Sequence, residues 1–198
     1  MIKTPLALVP YLACGFCVAA GLLWNAEQNL PRPGTVISTG EAAIGGPFTL
    51  TDQNGAVRSD ADFRGRYTLV YFGYTNCPDV CPTTLVVMAE ALKRLGPAGD
   101  GIVPIFISVD PARDTPAVLK NYLASFGPQF VGLTGSAQAI AKVAKAYRVY
   151  YRRQPEKAGY SVDHSNYIFL MGPDGRFVSV FDETLGPDGL AKALKKQL

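Results

Sequence analysis

Two cysteines separated by three residues, Cys77 and Cys81 in the string Cys77-Pro78-Asp79-Val80-Cys81, are the side chains of this sequence best suited to chemistry. The apolar run at residues 67–74 ahead of them reads as a buried strand, and the amphipathic run that follows reads as a helix. The thiols therefore sit where a strand hands over to a helix. Pro82 suits the first helical position, which predicts Cys81 as the N-cap. Unpaired N–H groups and the positive end of the helix dipole favour an anion there, so at least one cysteine is expected to be partly thiolate at neutral pH. A helix-like turn between the cysteines puts their Cα atoms at about 6 Å, within disulfide range. The pair can serve as a dithiol, a disulfide or a bidentate ligand for a soft metal.

The chain holds one histidine, His164 in Ser161-Val162-Asp163-His164-Ser165, just ahead of an apolar strand-like stretch at residues 167–171. If that strand lies beside the cysteine-bearing one, the histidine comes close to the thiols. Two thiolates and an imidazole make a three-coordinate site suited to Cu(I), with room for weaker donors if the ion is Cu(II). Asp163 or a backbone carbonyl is available to orient the imidazole. A solitary histidine is also an ordinary surface or hydrogen-bonded residue, but the dithiol and the topology favour a ligand. A structural zinc site usually wants four strong protein ligands and needs a carboxylate to complete it here. Thiol–disulfide exchange stays open, because a dithiol at a helix start is what a reductase or isomerase uses, although the usual redox spacing has two intervening residues. A thiol peroxidase is disfavoured, since neither cysteine has a threonine or serine three residues upstream.

Charged residues near these motifs have both plain and functional readings. Asp79 is either a turn residue or a group that tunes or docks the site. Asp110 and Arg113, in Asp110-Pro111-Ala112-Arg113-Asp114-Thr115-Pro116, fall on the same rim as the thiols, where an ordered loop with a helix cap and an internal ion pair is the plain reading. Arg148, Arg152, Arg153 and Lys157 cluster around Tyr150 and Tyr151, as a solvated edge or a landing place for an acidic partner domain.

Positioning these groups requires a sheet. Residues 48–52 alternate as a half-buried strand, Gln53-Asn54-Gly55 is a turn, and a short returning strand starts at Ala56. Leu85, Met88, Leu92 and Leu95 repeat at helical spacing from Pro82 until Gly96-Pro97 ends the helix. A second buried strand covers residues 102–109, and Thr115 caps a helix opened by Pro116, with Leu119, Tyr122, Leu123 and Phe126 inward. A short strand at 130–133, a helix at 136–147, strands at 167–171 and 177–181 around the turn Gly172-Pro173-Asp174-Gly175, and a closing helix carrying Leu190 and Leu194 complete the pattern. Strands alternating with helices, then a hairpin and a last helix, describe an α/β domain with a central mixed sheet flanked by helices. A thiol pair after its first buried strand points to a thioredoxin-like fold.

The rest of the chain bounds where this domain works. Its 198 residues, 48% of them apolar, allow one sizeable domain and an appendage, and a net charge of +3 does not suggest a nucleic-acid partner. Nothing between Lys3 and Glu27 is charged, and residues 6–24 are almost wholly apolar, about 28 Å of helix at 1.5 Å per residue. We read residues 1–27 as one N-terminal transmembrane helix with its start in the cytoplasm. The competing reading is a signal peptide cleaved after Val18-Ala19-Ala20, but Gly21-Leu22-Leu23-Trp24 continues the apolar run past that point. Cys14 and Cys17 form a CxxC inside this segment and read as small apolar residues. Residues 28–46, rich in Pro, Gly, Ser and Thr, read as a flexible tether, and residues 47–198 as the folded domain.

The string Tyr74-Thr75-Asn76-Cys77-Pro78-Asp79-Val80-Cys81-Pro82, the loop at Asp110 to Pro116, Gly132-Leu133-Thr134-Gly135 and Val162-Asp163-His164-Ser165 together closely resemble the Sco/SenC family. The resemblance runs from about Gly45 to the C-terminus and shows no departure at the three candidate ligands. It implies a membrane-tethered, thioredoxin-like copper chaperone that binds one copper, Cu(I) or Cu(II), through Cys77, Cys81 and His164 and helps assemble the CuA centre of cytochrome c oxidase. The implied recipient is oxidase subunit II or another copper-site protein, with an upstream copper donor and a thiol reductant as further partners. The implied location is a single-pass inner-membrane protein with its domain on the periplasmic side, or in the intermembrane space if mitochondrial. Some relatives act chiefly as thiol–disulfide reductases, with Cys77 and Cys81 then the redox pair, or in redox signalling.

Overall fold

The computed structural model describes residues 38–39, 44–157 and 159–198. In chain order the elements are β1 (Ser38–Thr39), β2 (Thr49–Asp52), β3 (Val57–Ser59), β4 (Tyr67–Gly73), α1 (Val80–Leu95), α2 (Pro97–Asp100), β5 (Ile102–Ser108), α3 (Pro116–Leu123), β6 (Val131–Thr134), α4 (Ala137–Ala146), β7 (Tyr151–Glu156), β8 (Gly159–His164), β9 (Tyr167–Met171), β10 (Phe177–Asp182) and α5 (Gly186–Lys195). Eight strands form one mixed sheet in the order β1-β10-β9-β4-β5-β6-β2-β3, while β7 and β8 pair only with each other.

The centre of the sheet follows from composition. Every residue of β5 and all but the first of β4 are buried, as expected of strands covered on both faces. Tyr71 and Phe72 are consecutive on β4 and so point to opposite faces. Tyr71 meets Phe106 at 6.2 Å and lies 3.8 Å from Cys81 of α1, whereas Phe72 meets Tyr147, at the end of α4, at 5.2 Å. Helices α1 and α4 therefore cover opposite faces. The inner face of α1 buries Leu85 and Met88 completely, each a gain of about 2 kcal/mol over exposure.

Topology decides where the functional residues meet. Strand β4 runs parallel to β5 and antiparallel to β9, with Tyr71 opposite Ile168. The start of β9 consequently lies at the end of β4 from which the cysteines emerge, as the sequence pattern predicts. The cap of α3 also agrees with it, Thr115 Oγ1 accepting from the Val118 N–H, while Ser136, read as the first residue of its helix, caps α4 instead, its Oγ accepting from the Ala139 N–H.

Four other local expectations change. Helix α1 begins at Val80 with Asp79 as N-cap, so Cys81 lies inside its first turn. Pro82 does not demand the first helical position, because every N–H of that turn lacks an intrahelical partner anyway. Helix α3 ends at Leu123, short of Phe126. The β7–β8 hairpin was not legible, because Tyr-Arg-Arg-Gln-Pro-Glu carries no apolar alternation and Pro155 argues against a strand except at an edge. Finally, two residues of the expected tether join the sheet: Ser38 pairs with Val180 and Thr39 with Ser179, and farther on Gly45 N–H donates to the Ala146 carbonyl at 2.9 Å. Sheet-edge pairing uses backbone groups, so composition gave no sign of it. The expected membrane anchor at residues 1–27 and the Cys14/Cys17 pair lie outside the described residues, among which no helix is long and apolar enough to cross a membrane.

Candidate metal centre

After Gly73 the chain turns, with Cys77 N–H bonded to the Tyr74 carbonyl at 3.3 Å, and enters α1. The turn lays the half-buried Cys77 sulfur over the helix start, where it accepts from the Cys81 N–H at 3.5 Å. Cys81 is fully buried beneath it, and both are free thiols. Hydrogen bonding with the neighbouring Cys81 thiol, aided by the Cys81 and Asp79 N–H groups, holds the Cys77 thiol far below its ordinary value against the cost of burial. The same bond, reinforced by burial, pushes the Cys81 thiol up. One proton is thus shared unequally: Cys77 is the thiolate and Cys81 the thiol. The expected activation by the helix start falls on the first cysteine.

His164 ends β8. Its Nδ1 lies 3.1 Å from the Ser165 carbonyl, an acceptor only, so Nδ1 carries the hydrogen. Nε2 is left to face Cys81 Sγ at 3.3 Å. Of the two orienting groups foreseen for this ring, the backbone carbonyl performs the role. The carboxylate of Asp163 is exposed and accepts instead from Gln154 Nε2. Tyr74 and Tyr71 stand edge-on to the imidazole, with ring centroids at 5.9 and 6.1 Å.

The other charged candidates lie away from the three donor atoms. The exposed Asp79 caps α1 without a side-chain hydrogen bond to the helix and reaches Cys77 through its own N–H. Asp110 is fully buried and accepts from Arg113 Nε, from Arg153 Nη2 at 3.2 Å and from the Tyr160 hydroxyl at 2.8 Å. Arg113 also donates to the Tyr160 carbonyl at 2.9 Å. The ion pair expected inside this loop is present, but it extends to the hairpin. Of the basic cluster, Arg153 belongs to that ion pair, and Tyr150 is 58% exposed.

Several contributors were not singled out from the sequence. The Tyr71 hydroxyl donates to Asn166 Oδ1 at 2.6 Å, tying the segment just after the histidine to the cysteine-bearing strand. The buried carboxylate of Asp114 accepts from Thr75 N–H at 3.0 Å, Thr75 Oγ1 at 2.6 Å and Ser108 Oγ at 2.6 Å, and so holds the start of the cysteine turn. Gly73 admits the cysteine sulfur: a Cβ there would meet both Cys81 Sγ and Phe106 at 2.8 Å. A glycine closing a buried strand immediately before a cysteine turn was the available signal. Gly73→Ala is expected to cost about 1–3 kcal/mol through overpacking. A lowered denaturation midpoint at unchanged m-value checks this, and an unchanged midpoint contradicts it.

The donor atoms of Cys77, Cys81 and His164 all lie within 4.8 Å of one another. At bond lengths of about 2.0–2.3 Å, typical of nitrogen and sulfur on zinc, three donors around one ion stand about 3.5–4 Å apart. Only a small closing movement is needed to hold a single ion, and two sulfurs with one imidazole suit copper.

The comparisons with known proteins agree. The SCO1/SenC family model matches residues 37–198. The protein sco1 of Schizosaccharomyces pombe is 42% identical over 160 residues, covering 78% of this chain and 61% of that protein, so the chain spans about three-fifths of that relative's length. Bradyrhizobium japonicum ScoI, solved with copper bound, is 52% identical, with a TM-score of 0.73 over 79% of this chain and 100% of that one. BsSco, described as a member of the Sco family of cytochrome c oxidase assembly proteins, is 25% identical, with a TM-score of 0.63 over 82% of this chain and 97% of that one. With two cysteines and a histidine gathered as a single-ion site on this fold, the chain belongs to the SCO1/SenC family.

Proposed function

We propose that this protein is a membrane-tethered copper metallochaperone that takes one Cu(I) on Cys77, Cys81 and His164 and delivers it to the CuA site of cytochrome c oxidase, with oxidase subunit II as recipient. The observation that carries the proposal is the convergence of those three donor atoms within 4.8 Å. Cys77 meets the ion already as a thiolate, Cys81 releases its proton as it binds, and Nε2 of His164 completes the set. Cys77 is the less buried cysteine and offers the sulfur that an incoming thiol of the recipient reaches first, which suits hand-over by ligand exchange. Residues 1–27 anchor the protein in the inner membrane as a single span and residues 28–37, ahead of the first strand, tether the domain on the periplasmic side, a reading supported by the uncharged apolar run before Glu27. Names of relatives support the setting: BsSco belongs to oxidase assembly proteins, and the human relative is called mitochondrial.

A thiol–disulfide reductase needs Cys77 and Cys81 but not His164. The aim of Nε2 at Cys81 Sγ, with the other ring nitrogen engaged by a carbonyl, favours the metal. The deciding experiment mixes the full-length protein, loaded with one equivalent of Cu(I), with the reduced apo CuA domain of an oxidase subunit II, and native mass spectrometry counts copper on each. Copper is expected to move from the wild type to the recipient, whereas a Cys77→Ser variant is expected to retain no copper to deliver. Copper that stays put, together with copper-free reduction of a disulfide form of the recipient that survives His164→Ala, would overturn the chaperone in favour of the reductase.

A further inference from the structure

The histidine is delivered by an element with little support of its own. Strands β7 and β8 form a two-stranded sheet separate from the main one, and an isolated hairpin is marginally stable in water. Tyr160, Val162 and His164 alternate along β8 and so share one face, which Val162 buries against the domain. At the turn end of that face the Tyr160 ring lies between two guanidinium groups, with Arg113 at 3.9 Å and Arg153 at 4.6 Å from its centroid. One fully buried carboxylate, Asp110, binds all three residues: Arg113 from its own loop, Arg153 from β7 and the Tyr160 hydroxyl from β8. The loop after β5 thereby grips both strands of the hairpin through a single acidic side chain.

We propose that Asp110 is a positioning residue for His164, holding the imidazole over the cysteine pair by clamping the hairpin from its turn end; the inference rests on the copper-site reading above. Tyr160 and His164 are four residues apart, about 13 Å along a strand at about 3.3 Å per residue. The clamp therefore touches none of the donor atoms and acts through the register and tilt of the hairpin. With the clamp open, Arg113 can still donate to the Tyr160 carbonyl and the Tyr71–Asn166 bond still fixes the chain after the ring, but the carboxylate that joins both strands of the hairpin to the loop after β5 is gone.

The test uses the full-length protein in detergent, with Cys14→Ser and Cys17→Ser in every sample so that Cu(I) reports on Cys77 and Cys81. Because the chain has one histidine, 15N-histidine labelling gives the signals of His164 alone. At a fixed pH the apo wild type is expected to show one tautomer, protonated at Nδ1, and Asp110→Asn an average of two. Asp110→Asn is expected to weaken Cu(I) binding about tenfold, the scale of an outer-sphere substitution at a metal site. In a His164→Ala background the same substitution is expected to cost nothing further, since its route to the metal is gone. An unchanged tautomer, or an equal loss in the His164→Ala background, overturns the proposal. Arg153→Gln and Tyr160→Phe open the clamp from the hairpin side and carry the same expectations should Asp110→Asn not fold. If the wild type held no copper, the copper-site reading would fail, while the apo tautomer signal would still report the hold of Asp110 on His164.

Discussion

Replacing either Cys77 or Cys81 by serine is expected to abolish tight Cu(I) binding, while His164→Ala leaves a weaker two-sulfur site. The magnitudes follow from sharing a metal-binding free energy among its donors. Structural zinc sites with four protein ligands bind with about 10–16 kcal/mol, or about 2.5–4 kcal/mol per ligand. At about 1.4 kcal/mol per decade, loss of one donor costs two to three decades of affinity. The cysteines should exceed that range, because soft Cu(I) prefers thiolate to imidazole. Loss of either one also upsets the other: without Cys81, Cys77 loses the thiol that stabilises its negative charge, and without Cys77, Cys81 is left buried and alone. Competition with a chromophoric Cu(I) chelator measures the three affinities. Unchanged affinity and spectrum in His164→Ala would falsify the three-ligand centre and leave a two-cysteine site.

The second large effect is in thiol reactivity. An ordinary cysteine, with a pKa of about 8.5, loses thiolate about tenfold per pH unit below that value. Cys77 is held far lower by the Cys81 thiol and the N–H groups at the helix start, so its alkylation by iodoacetamide in the metal-free protein should be nearly constant from about pH 8 down to about pH 5. With Cys14 and Cys17 replaced by serine, Cys81, pushed up by Cys77 and by burial, should stay unmodified, giving a single adduct by mass spectrometry. Cys81→Ala removes the stabilising donor and should restore a rate that falls with pH. A double adduct at neutral pH, or a wild-type rate that falls tenfold per unit from pH 8, would show that the proton is not shared as described. The same shifts carry a sign for stability. The lowered Cys77 value adds stability that is complete above the unfolded value of about 8.5 and is lost as pH falls through its folded value. The raised Cys81 value acts oppositely, since the unfolded chain then ionises more readily above about 8.5, so the pair contributes most near that pH.

Much of this was local information. The buried strands β4 and β5 were legible because every position along them is apolar or small, and the cap Thr115 because a side-chain oxygen before a helical run has a specific partner two or three residues on. The candidate donors could be named because thiol and imidazole chemistry resides in the side chain itself, and this sequence offers one histidine and, beyond the apolar N-terminal run, two cysteines. That the histidine meets the thiols followed once β9 was placed beside β4.

What only the tertiary structure decided is how those groups are held. Which cysteine is the thiolate depends on which sulfur is buried and which accepts the other's hydrogen, and the spacing alone is symmetric in that respect. The hairpin that carries His164 is polar along β7 and is contacted by Asp110 through Arg153 and Tyr160, contacts that join residues up to 50 positions apart. The orienting group on His164 is a backbone carbonyl, which every residue possesses and no sequence distinguishes. Residue types determine the chemistry available to the chain; distances, burial and the sharing of protons arise only when distant segments are brought into contact.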